Sequence, residues 1–115
     1  MIRKADQMAV EHREHMRDGE GTVIVQQAFA CDEMTSKTRL CAKLTLVKGA
    51  SIGIHTHADE DEIYYILSGK GIVDDTVTKT EVGPGDAVLT GNGESHSIAN
   101  PFEETLELLA VVIKY

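Results

Sequence analysis

Two histidines separated by one residue, His55 and His57, are the side chains in this sequence best suited to hold a metal ion. Alternate side chains of an extended strand point to the same face, so the two imidazoles are predicted to lie side by side. A carboxylate, Glu62, follows, and residues 58–61 can turn the chain back so that Glu62 begins a neighbouring antiparallel strand. Two nitrogen donors and one oxygen donor on a concave strand face would form part of a divalent-metal site.

A third histidine, His96, follows a glycine turn and precedes a second apolar segment far along the chain. One sheet can bring it to the other three side chains, which completes a set of three nitrogen donors and one oxygen donor. That set excludes a thiolate-type structural zinc site and suits Mn, Fe, Ni, Zn, Co or Cu, so we expect one divalent transition metal per chain. In an octahedron the four ligands leave two positions for water, substrate or dioxygen, whereas a tetrahedral ion would be nearly saturated.

Both segments resemble the two sequence motifs of the cupin family. Residues 49–69 keep every spacing of the first motif, whose members fall on Gly49, His55, His57, Glu62 and Gly69. Residues 85–100 resemble the second motif, with Gly85, Gly93, His96 and Asn100 in place and Gly91 where proline is usual. Only residues 70–84 separate the motifs, which is similar to compact bacterial single-domain cupins.

The resemblance implies an all-β fold, the cupin jelly-roll barrel of two packed antiparallel sheets. It also implies that four side chains bind the metal, namely His55, His57, Glu62 and His96. Asn100 is expected to satisfy backbone groups rather than substrate. The strand pattern agrees with a sandwich or barrel, with strands predicted at Thr22–Phe29, Arg39–Val47, Ile52–His57, Glu62–Leu67, Ile72–Asp74, Val77–Val82, Ala87–Thr90, His96–Ala99 and Leu106–Ile113.

We therefore predict a single cupin barrel domain over residues 22–115, preceded by an N-terminal arm or short helix over residues 1–21. The helical alternative rests on Met8, His12 and Met16, which recur at helical spacing. Exposed sheet edges need protection, and cupins commonly pair N-terminal strands across a dimer. We expect a homodimer of this kind, with the Thr22–Phe29 region at the contact.

Composition limits the partners. A net charge of −8 argues against nucleic acid or an anionic membrane, and no apolar run approaches the ~20 residues of a membrane span.

The N-terminus has no hydrophobic signal segment, so a cytoplasmic location is expected. Cys31 and Cys41 lack metal-binding spacing and are expected to be reduced thiols. Cys41 lies in an alternating strand and can face the barrel interior.

Tyr64 shares the strand face of Glu62 and is the first candidate for a catalytic hydroxyl close to the metal, with plain core packing as the alternative. Two functions remain open. The favoured one is a metalloenzyme of dioxygenase, isomerase or lyase type that acts on a small polar or carboxylate-bearing molecule, with the metal as Lewis acid or O₂ site. The other is a non-catalytic cupin that binds or senses a sugar or organic acid. Arg39 or Lys43 facing the metal would favour an anionic ligand.

Overall fold

The computed structural model describes residues 1–115, and its regular secondary structure is almost entirely β-strand. No helix in it has the length and apolar composition needed to cross a membrane. Short turns of 3-10 helix lie at Ala5–Gln7, Met16–Asp18 and Cys31–Glu33. The strands are β1 (Ala9–Glu14), β2 (Thr22–Gln27), β3 (Thr38–Leu46), β4 (Ser51–Thr56), β5 (Glu60–Ser68), β6 (Gly71–Asp74), β7 (Lys79–Val82), β8 (Ala87–Gly91), β9 (Ser95–Ala99) and β10 (Leu106–Lys114).

The strands form two antiparallel sheets. The six-stranded sheet has the order β1-β2-β3-β10-β5-β8, and the four-stranded sheet has the order β4-β9-β6-β7. Inward-facing apolar residues of both sheets meet in one core cluster of 15 buried residues, which includes Leu44 of β3, Ile98 of β9 and Leu108 of β10. The predicted all-β jelly roll is confirmed.

The alternation predicted for β3 is also present. Ala42, Leu44 and Leu46 are buried, while the residues between them are partly exposed on the opposite face. Cys41 belongs to that opposite face, so it does not face the barrel interior. Neither it nor Cys31 forms a disulfide.

The prediction that Glu62 begins a strand next to the strand of His55 and His57 is wrong. β4 belongs to the four-stranded sheet, whereas β5, which carries Glu62, belongs to the six-stranded sheet. Both edges of β5 are occupied by β10 and β8, so the chain between β4 and β5 crosses the barrel instead of forming a hairpin. Crossing still brings the carboxylate near the histidines, because the inner faces of the two sheets oppose each other.

The arm or short helix predicted for residues 1–21 is wrong in its central part. Residues 9–14 form β1, which pairs antiparallel with β2 from Ala9–Gln27 to Glu14–Thr22. Pairing with β1 satisfies the backbone groups along one edge of β2, and β3 covers the other edge. Pairing across a dimer would therefore use the outer edge of β1 and not β2. The division of the chain at residue 21 stays a prediction.

Residues 15–19, which we call the strap, connect β1 toward β2 in an unusual conformation. His15, Arg17 and Asp18 have φ values of 49°, 55° and 63°, in the left-handed region that non-glycine residues rarely adopt. Met16 packs against the core cluster. Such backbone strain persists only where surrounding contacts determine it.

Those contacts come from the backbone of β4. A Cβ added to Gly53 would meet the carbonyl oxygen of Arg17, and a Cβ added to Gly19 would meet the carbonyl oxygen of Ser51. The absence of side chains at both glycines lets the strap lie directly on β4, the strand that carries His55.

Replacement of Gly53 by alanine is expected to lower the free energy of unfolding by about 1–3 kcal/mol, because the new methyl group must displace the Arg17 carbonyl. Gly83→Ala is the matched control, since a Cβ there meets only the Lys70 side chain, at 3.9 Å. Urea denaturation of both variants measures the difference. Equal losses would contradict the close contact between the strap and β4.

Candidate metal centre

The structure brings the four predicted metal ligands together between the two sheets. His55 on β4 lies directly opposite His96 on β9, and Glu62 reaches them from β5 in the other sheet. His57 follows the end of β4, where its backbone N–H donates to the Glu94 carbonyl at 2.9 Å. The site therefore depends on both sheets and on the turn after β4.

A β-bulge in β4 turns His55 inward. Ile52 pairs with Ile98 and His55 with His96, so three steps along β4 match two steps along β9. Strict alternation from the buried Ile52 would have placed Ile54 inside and His55 outside. Instead Ile54 is 55% exposed. The spacing of His55 and His57 predicted that they share a face of the strand. The bulge determines that this face points into the barrel.

The donor atoms lie at the separations expected of neighbours around one ion. The Nε2 atom of His96 lies 3.1 Å from those of His57 and His55. The Glu62 Oε1 atom lies 2.9 Å from the Nε2 atoms of His57 and His96, and 3.7 Å from that of His55. Ligand atoms at ~2.1 Å from a metal are ~3.0–3.4 Å apart in octahedral or tetrahedral geometry. With all four atoms within 4.8 Å of one another, this set suits a single metal ion.

Burial sets the protonation of the centre. His57, Glu62 and His96 are 2%, 4% and 1% exposed. Burial raises the pKa of the Glu62 carboxyl, but its contacts with the imidazoles of His55, His96 and His57 outweigh burial and lower the pKa to about 2. Burial lowers the pKa of His96. At neutral pH Glu62 is therefore ionised and His96 neutral, the forms that bind a metal.

The Nδ1 atom of each imidazole, on the side of the ring away from the centre, has a hydrogen-bond partner. The partners are the Gly53 carbonyl for His55 at 2.7 Å, the Glu60 carboxylate for His57 at 3.4 Å and the Thr90 hydroxyl for His96 at 2.9 Å. Outer partners of this kind fix the orientation of a ring and leave Nε2 free to bind. The three rings are thus oriented by the protein itself.

Glu60 and Thr90 were not foreseen from the sequence. Glu60 shares a strand face with Glu62, and this alternation is the signal that points to it. Arg39 lies 2.8 Å from the Glu60 carboxylate. Burial raises the pKa of Glu60, but contacts with Arg39 and His57 outweigh burial and lower the pKa below its usual value. The carboxylate that contacts His57 is therefore ionised at neutral pH.

Tyr64 lies on the inward face that it shares with Glu62, as predicted. Its ring stacks on that of His96, with centroids 4.9 Å apart and planes 16° apart. Burial, and then the Glu62 charge, raise the pKa of the Tyr64 hydroxyl well above its usual value. At neutral pH the hydroxyl therefore keeps its proton and can donate a hydrogen bond. Its role in catalysis stays a prediction.

The second motif is held by Asn100, whose side chain binds backbone groups as predicted. Its amide nitrogen donates to the carbonyl oxygens of Leu46 and Glu104, both at 2.8 Å. Its side-chain oxygen accepts from the backbone N–H of Phe102 at 3.0 Å. Asn100 thus joins the end of β9 to β3 and to the turn before β10.

Gly91 occupies the position where the second motif usually has proline. Its N–H donates to the Glu94 carboxylate at 3.3 Å, a bond that proline lacks. A Cβ at this position would meet the Asp61 carboxylate. The departure from the motif therefore belongs to a local contact and changes none of the four donors.

A pocket of about 490 Å³ reaches the centre and is lined by His55, His57, Glu62 and Tyr64. Its lining also includes three of the chain's four arginines and no lysine. These are Arg13, Arg17 and Arg39. Lys43 instead pairs with Glu107 at 2.8 Å, so of the two cations considered from the sequence only Arg39 borders the pocket. Arg13 and Arg17 were not foreseen, because the conformation of their segment was not.

Comparison with known proteins agrees with this geometry. The family model for the cupin domain matches residues 42–112. The oxalate-binding protein of Thermotoga maritima is 39% identical over 113 residues, which cover 98% of this chain and 93% of that protein. A crystal structure from Thermotoga maritima, described as a predicted oxalate decarboxylase, has a TM-score of 0.95 at 38% identity, with both chains fully covered.

A more distant structure shows the fold alone. The polyketide cyclase of Streptomyces resistomycificus has a TM-score of 0.76 at 18% identity, over 99% of this chain and 80% of that one. The family model, by contrast, spans more than half of this chain and contains all four donors of the centre. On the motifs, the jelly roll and this match together, the chain belongs to the cupin family.

Proposed function

We propose that this cupin is a metal-dependent enzyme that acts on a small carboxylate-bearing molecule, with oxalate as the first candidate. The observation that carries the proposal is the convergence of four donors on a pocket with three arginines. The two Thermotoga maritima relatives, described as an oxalate-binding protein and a predicted oxalate decarboxylase, support this ligand class. One divalent transition metal ion (Mn, Fe, Ni, Zn, Co or Cu) would be held by His55, His57, Glu62 and His96. When bound it would supply a Lewis acid for the ligand's carboxylate oxygens.

Among dioxygenase, isomerase and lyase chemistry, the description of the structural relative as a decarboxylase favours a lyase. Decarboxylation of the oxalate dianion breaks the carbon–carbon bond, releases CO₂ and takes up one proton from water on the carbon that becomes formate. No external oxidant or reductant is consumed. The protein must hold a hydrogen-bond donor beside the reacting carboxylate, and we assign that role to the protonated hydroxyl of Tyr64.

The alternative is a non-catalytic cupin that binds or senses a small organic acid. The relative described only as an oxalate-binding protein favours it. Both functions use the same donors and the same pocket, and they differ in whether the bound ligand is turned over.

We also propose a homodimer that uses the N-terminal strands together with the outer face of the six-stranded sheet. The outer edge of β1 is unpaired, and the face carries exposed apolar residues, which are Ile63, Tyr65, Leu67, Leu89 and Ile113. Ile63 pairs with Leu89 on one side and Val111 on the other, so these side chains form one patch. A second copy would remove the patch from water.

A cytoplasmic location belongs to the same proposal. Cys31 and Cys41 are not bonded to each other, and Cys31 is exposed. Unbonded thiols are typical of proteins kept in a reducing compartment. Fractionation of cells that produce the protein measures the location directly.

The first test is metal content. We expect about one transition metal per chain in purified protein, and loss of most of it in His57→Ala, because that change removes one of four donors. His12→Ala is the control, since His12 is exposed on β1 away from the centre. Metal at ~100 times its Kd is expected to raise the free energy of unfolding by ~2.7 kcal/mol. Wild-type protein refolded with excess Mn, Fe, Ni and Zn that carries no metal by elemental analysis would refute the site.

The second test separates turnover from binding. Metal-loaded protein is mixed with oxalate, binding is followed by calorimetry, and formate and CO₂ are quantified. The enzyme proposal expects equal amounts of both products and a decrease of about 10²- to 10⁴-fold in kcat for Tyr64→Phe. Saturable binding with no formate would establish the non-catalytic alternative. Absence of oxalate binding by fully metal-loaded protein would exclude oxalate as the ligand.

The third test concerns the dimer. Sedimentation equilibrium is expected to give twice the chain mass for the wild type and a weaker dimer for Leu89→Glu, because a buried unpaired charge opposes association. Val77→Glu is the matched control, as Val77 is 87% exposed and lies outside the patch. A monomeric wild type at high concentration would rule the dimer out.

A further inference from the structure

We propose that Arg17 of the strap makes the pocket selective for dicarboxylates over monocarboxylates. This inference rests on the proposed function and adds to it the residue that distinguishes the two ligand classes.

Arg17 is the pocket arginine without an internal partner. Arg13 forms an ion pair with Glu11 at 3.0 Å, and Arg39 forms one with Glu60 at 2.8 Å. Arg17 also lines the pocket but makes no ion pair with a carboxylate of the chain. Its guanidinium is therefore the cation available to an anionic ligand.

The strap holds Arg17 at a defined place. Its backbone is in the left-handed region, and its carbonyl oxygen lies against Gly53 of β4, two residues before His55. Arg17 also lines the same pocket as His55, His57 and Glu62. Strained backbone of this kind is typical of ligand sites, and here it lies at the edge of the pocket.

The charge of the loaded centre explains why this cation matters for one ligand class. A divalent ion, one carboxylate and three neutral imidazoles sum to a single positive charge. A monocarboxylate neutralises that charge, whereas a dicarboxylate dianion leaves one negative charge, which a nearby guanidinium can pair with through charge-assisted hydrogen bonds. The positive charge of the Arg17 guanidinium neutralises this remaining negative charge.

The count of oxygen atoms leads to the same residue. Four protein donors leave at most two positions on an octahedral ion, so a dicarboxylate keeps two of its four oxygens for other partners. Two neighbouring carboxylate oxygens match the planar fork of a guanidinium, and lysine offers the charge without the fork. A monocarboxylate has no oxygens left over.

The experiment measures oxalate and acetate binding by calorimetry to the full-length chain loaded with Mn²⁺. Arg17→Gln is expected to weaken oxalate about ten- to a hundredfold, the effect of losing hydrogen bonds to a charged partner, and to leave acetate within about threefold. Arg17→Lys should recover part of the oxalate affinity. Arg3→Gln is the control, because Arg3 lies outside the pocket and is paired with Glu33.

The outcomes are distinguishable. Equal weakening of both anions by Arg17→Gln, or no weakening of oxalate, would overturn the inference and leave the proposed function standing. Failure of the metal-loaded wild type to bind either anion would instead overturn the proposed function, and the inference with it. Elemental analysis of each variant shows whether a change in affinity follows from lost metal, which would also count against a direct role for Arg17.

Discussion

The register between β4 and β9 decides whether a metal centre can form in this fold, because a shift of one residue would turn every side chain of β4 to the opposite face. The bulge after Ile52 changes the phase of the strand once, so that an apolar residue and then His55 both face inward. Gly53 lies in this bulge, and its missing side chain leaves room for the strap. This one β-bulge therefore turns His55 toward the core and also makes room for the strap, which borders the pocket.

The centre also connects the two sheets. Its imidazoles come from β4, the turn after it and β9, while its carboxylate comes from β5 in the opposing sheet. Burying Glu62 in its ionised form costs free energy, which its contacts with the imidazoles offset. A divalent cation would stabilise the carboxylate further and tie the sheets together. Because Gly53, Glu60 and Thr90 orient the rings, the donors are positioned by the fold rather than by the ion.

The elements that the sequence predicted well are those with one buried face. The strands after residue 22, the inward side of Glu62 and Tyr64, and the backbone role of Asn100 all follow from alternation or from motif spacing. β1 escaped prediction because it is exposed almost throughout and its apolar residues do not alternate. The crossing from β4 to β5 escaped because a short connection fits a hairpin equally well. Left-handed backbone at His15 and Arg17 has no signal in residue type, since glycine is absent there.

The match to the family model begins after the segment that carries the pocket arginines. Residues 42–112 match the cupin model and contain every donor of the centre, whereas Arg13 and Arg17 precede that range. In a chain of net charge −8 the long-range field repels anions. Attraction must therefore be local, and at physiological salt a cation acts within ~8 Å of its charge. The four donors of the centre thus lie within the matched barrel, whereas the selectivity that we propose for Arg17 would come from a segment outside the match.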